Sequence, residues 1–310
     1  MMYSITRVSP DRPHNNIIIM KDAGTTTDAD REQGGGHHHP HGENKHDNDD
    51  SSDMAVNLAT GVMPVLESKS HIKGPIEIID RPGYILAHSG CHKIPLWVAE
   101  RVDTERLSGS AIISFASRLF DEFLPDPALK DANRAVLQDY SSDKRFDPGH
   151  LAAAGNILKK DPTFKQMRKD TFFLSNCAPM LKPFNRGVWR RLESHVRELG
   201  KIHGQVWVIS GSIIPLLDHP NDHHHNGTPV VASSIGDHVS VPTHFWKIVT
   251  IKKKDPETTD NDDGALLTTV TAFLLEHEES QKEISSFRVP LDRIRELTGW
   301  NFFPIKGAAS

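Results

Sequence analysis

The sequence predicts an α+β fold, and three observations carry that prediction. β-Branched and aromatic runs bounded by turn residues lie both before and after one central amphipathic helix. Strands do not alternate with helices as βαβ units require. The N-terminal seventy residues are too polar to belong to a core. At 310 residues the chain can bury a full core, and its length permits one or two domains.

Taken in order, residues 1–70 read as a disordered, acidic, His-rich tail and residues 71–310 as one domain. Asp22–Asp53 is rich in Thr, Asp, Gly, His and Asn, so it has little apolar surface to offset the entropy of ordering. Asn57–Ser68 reads as a short docking segment. Arg7, Arg12 and Lys21 are interspersed with Asp11 and Asp22, which makes neither a transit helix nor a secretory leader. From Gly74 onward the pattern is globular. Ile76–Ile79 and Tyr84–His88 are predicted strands around the turn Arg81-Pro82-Gly83, and Leu96–Glu100 is another. Residues 121–145 read as a loop with a short helix. Asn185–Leu199 is an amphipathic helix ended by Gly200, with Val188, Leu192, His195, Val196 and Leu199 on or near one face. Gln205–Ile209, Phe245–Ile251 and Leu266–Leu275 are strands. Leu291–Thr298 is a helix capped by Gly299.

Composition narrows the function. No run of 18 apolar residues exists, so no transmembrane helix is expected. Cys91 and Cys177 lack a CxxC spacing, which argues against a disulfide scaffold or a Cys-type zinc site. Net charge is −5, with 36 basic and 41 acidic residues. The tail accounts for the excess: it holds 6 basic and 11 acidic residues, leaving 30 of each behind. Residues 144–202 hold 13 basic and 5 acidic side chains, a local +8 compatible with phosphate binding or with a solvated helix face. Two His-rich tracts, His37–His46 and His219–His225, are either transition-metal binders or low-complexity filler. A metal-binding interaction protein built on them is one rival reading.

The chemistry concentrates between Phe146 and Leu199. His150 follows Asp147-Pro148-Gly149, where proline favours extended geometry and glycine permits a bend. An imidazole projecting there can accept a proton from water, although a lone exposed histidine usually does nothing. Asn185 and Glu193 lie eight residues apart, roughly 80° around the helix and about 12 Å along it. They therefore suit one hydrated hard cation better than a shared inner ligand sphere. The helix start also offers backbone N–H groups to a phosphate. The bland alternative makes Asn185 an N-cap and Glu193 a partner of Arg190 or Arg197.

The segment resembles the non-specific DNA/RNA endonucleases of the ββα-metal (His-Me finger) class, and within them the endonuclease G-like branch. The resemblance rests on Asp147, Gly149 and His150 followed by LAAAGN, on Leu174–Pro179 (LSNCAP), and on Asn185, Gly187, Trp189, Leu192 and Glu193. Val241–Lys247 (VPTHFWK) and Phe287–Leu297 extend it, and the order agrees from about Gly74 to Pro304. It implies a mixed or antiparallel sheet core with helices and a sugar-non-specific endonuclease acting on DNA and RNA. It further implies Mg²⁺ (or Mn²⁺) as cofactor, a homodimer and a mitochondrial location.

The resemblance also assigns roles. His150 is the general base, Asn185 the direct metal ligand, and Glu193 holds the ion's waters. Asn176 shapes the site or ties down a loop, while Asn156, Trp189, His195, His244, Trp246 and Cys177 read as structural. One departure stands out. The family usually carries arginine where this chain has Pro148, so a nucleic-acid-binding protein that cuts slowly or not at all is the rival within the fold. Lys144 or Arg145 is the candidate substitute for that arginine, and Arg118 a candidate second phosphate-facing arginine. Ser210-Gly211-Ser212 stands where the family has a TGP-like turn.

Overall fold

The computed structural model describes residues 5–8, 17–20, 64–66, 75–109, 122–214, 233–254 and 266–302. Its frame is an antiparallel sheet built from β1 (Ile5–Val8), β2 (Ile17–Met20), β3 (Ile76–Arg81), β4 (Tyr84–Ser89) and β5 (Ile94–Asp103). A hairpin, β6 (Phe146–His150) with β7 (Cys177–Leu181), stands outside that sheet. The sheet continues with β8 (Gln205–Ile213), β9 (His244–Lys254), β10 (Leu266–Glu276) and β11 (Arg288–Val289). Its order is β1-β2-β3-β4-β5-β8-β9-β10-β11. Three longer helices complete the frame: α1 (Pro162–Asp170), α2 (Arg190–His203) and α3 (Leu291–Thr298). The α+β, ββα-metal prediction holds.

Both sheet faces are covered. Leu86, Val98, Val208 and Phe245 pack on the face that receives Val188, Leu192 and Val196. Trp97, Ile209, Trp246 and Ile248 pack on the opposite face with Ile294, Trp300 and Phe302. Such two-sided burial explains why the central strands read as continuous apolar runs rather than strict alternation.

Several expectations need correction. Gly200 does not end the central helix. It lies inside α2, where an added Cβ would press on Val102 Cγ1 at 3.2 Å. The helix stops at Gly204, whose φ of 77° suits a residue without Cβ. Gly149 serves packing rather than a bend: it sits within β6, and a Cβ there would overlap the Met180 side chain, whose own Cβ would lie 2.8 Å away. Ser210-Gly211-Ser212 is not a turn but lies within β8, where Gly211 allows close approach of Trp246. Of the first seventy residues few are described; among them β1 pairs with β2 and β2 with β3. Val65–Leu66 pairs with Trp300–Asn301. The short run Ile17–Met20 was too brief to signal a strand inside so polar a segment. The helix α1 went unpredicted although Asp161-Pro162 is a cap followed by an N1 proline; Asp161 Oδ1 accepts the Thr163 N–H at 2.9 Å. Both His-rich tracts and Arg118 lie outside the described residues.

Candidate active site

Three pieces of chain converge beside α2. The first is β6, which carries His150 at its C-terminal end. Pro148 faces Pro179 across the hairpin, so neither strand loses a ladder donor it could have used there. The second is the loop after His150. Asn176, fully buried, accepts the Ala152 N–H at 2.9 Å and donates to the carbonyls of Ala152 (3.0 Å) and Thr171 (2.8 Å). Asn156, also buried, donates to Glu100 Oε1 at 2.9 Å. The third is the turn Asn185–Trp189, a π-helical turn with a non-helical Gly187 that leads into α2. Trp189 joins the third piece to the first: its ring is buried in the core and its Nε1–H donates to the His150 carbonyl at 3.1 Å. At the end of β7, His277 Nε2 accepts the Leu181 N–H at 2.7 Å while Nδ1–H donates to the Pro242 carbonyl at 2.8 Å.

The result is a cleft of about 230 Å³ lined by His150, Ala153, Ala154, Gly155, Asn185, Arg186, Arg190 and Glu193. His150, Asn185 and Glu193 thus meet, although His150 and Glu193 lie 43 positions apart in sequence. The helix start brings two arginines with them. Neither the Asn185 nor the Glu193 side chain is taken up by a hydrogen bond to another described residue, which leaves both oxygen sets free for a ligand.

Burial sets the protonation of the site. The His150 ring packs edge-on against Phe172 at 4.9 Å and tilted against Phe123 at 5.1 Å. That desolvation, with a smaller push from the Arg168 charge, lowers its pKa to about 4. Its Nε2 is sealed from solvent and finds no partner among the described residues. The expectation of an ordinary, exposed imidazole is corrected accordingly: the ring is neutral throughout the neutral range. Burial pushes the Glu193 carboxyl up, opposed by the positive charges of Lys247, Arg197 and Arg190, with Glu100 adding to the rise. Lys247 was not singled out in the sequence. It is 1 % exposed, donates to Ser210 Oγ at 2.5 Å and sits 4.6 Å over the Trp189 ring. A lysine in a strand otherwise alternating Phe, Trp and Ile was the available signal.

Other expected residues fall outside the cleft. Asn176 does not line it; its hydrogen bonds tie down the loop behind His150, the second of the two readings the sequence left open. Arg145 does not line it either; its guanidinium forks onto Asp143 and is largely exposed. Asn156, Trp246 and Cys177 are buried and His195 and His244 half-buried, as a structural reading requires.

Comparison with known proteins agrees with this fold. Residues 64–307 match the model of the DNA/RNA non-specific endonuclease family. The mitochondrial nuclease EXOG of Danio rerio is 32% identical over 222 residues, covering 71% of this chain and 59% of that protein. EXOG of Mus musculus is 29% identical over 225 residues, with 71% and 55% covered. Mitochondrial endonuclease G of Homo sapiens is 31% identical over 186 residues, with 60% and 58% covered. The chain therefore spans little more than half the length of these relatives. A solved structure of an EndoG/EndoGI complex superposes with a TM-score of 0.59 at 28% identity, covering 73% of this chain and 85% of the other.

Proposed function

The chain belongs to the DNA/RNA non-specific endonuclease family, and from that premise we propose that it hydrolyses phosphodiester bonds in DNA and RNA with Mg²⁺ as cofactor and His150 as general base. One observation carries the reading: His150, Asn185 and Glu193 line a single cleft together with Arg186 and Arg190. The donor set fits the ion. A carboxamide and a carboxylate are hard oxygen donors, and Mg²⁺ keeps most of its waters, so it needs few protein ligands. Among the described residues no group of three or more His, Cys, Asp and Glu side chains converges as a softer metal would require. Asn185 would hold the ion directly and Glu193 would orient its waters. When bound, the ion neutralises charge on the phosphate and on the leaving oxygen. Mn²⁺ fits the same donors.

His150 accepts the proton of the attacking water. Because Nε2 is sealed off, Nδ1 is the nitrogen that serves the cleft. A pKa lowered by burial to about 4 favours the neutral form but makes a weak base. A phosphate bound alongside raises it towards the working range, since a negative neighbour favours imidazolium. Contacts of this kind read phosphate rather than base, which supports weak sequence preference. The homodimer is carried over from the family resemblance, and the mitochondrial names of the relatives motivate that compartment; light scattering and imaging of the tagged chain test them.

Purified protein incubated with plasmid DNA and with RNA decides the matter. Nicking that requires Mg²⁺, is abolished by EDTA and falls about 10²–10⁴-fold in His150→Ala is expected. Tight binding without metal-dependent cleavage would favour the slow-cutting binder that Pro148 suggests.

A further inference from the structure

We propose that Arg186 is the substrate-phosphate-binding guanidinium of this cleft and that Asp147 holds it in place. The inference rests on the endonuclease reading and adds a residue the sequence did not single out.

The geometry is specific. Arg186 Nε donates to Asp147 Oδ2 at 2.8 Å and Nη2 to Oδ1 at 3.0 Å. This fork uses one edge of the planar guanidinium. The other edge, formed by Nη1 and the second Nη2 hydrogen, keeps its donors. The Arg186 side chain is 65 % exposed and lines the cleft, whereas Asp147 is 19 % exposed and anchored in β6. A guanidinium braced on one edge and open on the other is pre-organised for two phosphate oxygens, because the entropy of fixing a long side chain is already spent.

Placement strengthens the argument. Asp147 stands three residues before His150 on the same strand, and Arg186 directly follows Asn185. The fork therefore spans from the strand carrying the base to the turn carrying the metal ligand. Pro148 contributes no charge to the cleft, and Arg145 is turned onto Asp143. Arg190 lines the same wall one helical turn onward and supplies a second positive charge. Together these make the local positive field that a scissile phosphate needs, with the forked arginine as the geometric element.

The competing reading makes the pair a clip that merely closes the hairpin onto the turn. Two measurements on the full chain separate them. In single-turnover cleavage of a short duplex with Mg²⁺, Arg186→Gln should lose about 10²-fold or more in rate. Arg186→Lys should recover only part of it, since an ammonium cannot fork. In equilibrium binding of the same duplex with Ca²⁺ and the His150→Ala protein, adding Arg186→Gln should flatten the slope of log K against log salt by about 0.9, one phosphate contact. A clip predicts a lowered melting temperature with cleavage per folded molecule and salt slope both unchanged, and that result overturns the proposal. The binding arm does not need catalysis. If the wild type fails to cleave at all, the endonuclease reading falls while the Arg186 contact is still decided by the salt slope.

Discussion

Asn176 offers the sharpest test of how the site is held. Its side chain is fully buried and makes three hydrogen bonds: one accepted from the Ala152 N–H and two donated to the Ala152 and Thr171 carbonyls. Replacing it by the similarly sized leucine strands one N–H and two C=O groups in the interior. Each orphaned group costs about 1–3 kcal/mol. Carbonyls tolerate loss of a single partner better than N–H groups do, and neighbours relax, so the low end of the sum applies. We expect Asn176→Leu to lose about 4 kcal/mol of unfolding free energy, against a whole stability of about 5–15 kcal/mol. Urea denaturation followed by tryptophan fluorescence measures it. Cleavage per folded molecule should fall as well, because the loop from Leu151 to Ala153 continues the strand that ends in His150. A catalytic role at the substrate predicts a different pair of numbers: stability within about 0.5 kcal/mol of wild type and a rate loss of about a thousandfold. That pair would refute the positioning argument.

Two further perturbations follow from the same packing. His88 is wholly buried, its Nε2–H donates to the Asn133 carbonyl at 2.9 Å, and desolvation lowers its pKa to about 4. The unfolded chain then binds the extra proton below about pH 6.5, so stability is complete above that value and is lost as pH falls towards 4, by up to about 3 kcal/mol. Urea midpoints measured from pH 4 to 8 should decline less steeply in His88→Gln than in wild type; equal slopes would show that another group governs the acid limb. Gly149→Ala introduces a Cβ into the Met180 side chain and should cost about 1–3 kcal/mol through overpacking while displacing His150. An unchanged melting temperature with full cleavage would mean the hairpin yields freely.

The sequence showed strands wherever an apolar run was long enough to be buried on both faces, as in Gln205–Ile213, and wherever turn chemistry bounded it, as around Pro82. Gly299 as a helix stop was equally legible, since its φ of 70° is a local requirement. Gly200 misled for the opposite reason: its smallness serves a contact with Val102, a strand nearly a hundred residues away, and tertiary contacts leave no local mark. The same holds for Gly149, whose partner Met180 lies across the hairpin. The site divides along that line. His150, Asn185 and Glu193 were chosen from the residues with the help of a family likeness, but only folding shows that a strand end and a helix start share a wall. Arg186 was invisible beforehand because its significance is its distance to Asp147, and Asn176 was ambiguous until its three partners were known. The depressed pKa of His150 likewise comes from Phe123 and Phe172, which no spacing rule connects to it.

In the proposed function, one cleft makes an imidazole and a carboxamide-held ion act together on one phosphodiester. A double-mutant cycle in single-turnover cleavage, with saturating Mg²⁺ and wild type, His150→Ala, Asn185→Ala and the double variant, measures that coupling. Groups that act as a unit are strongly non-additive, so each single change should cost about 10²–10⁴-fold and the double about as much as the worse single. Either single variant cutting within about threefold of wild type, or costs that simply multiply, would contradict the account.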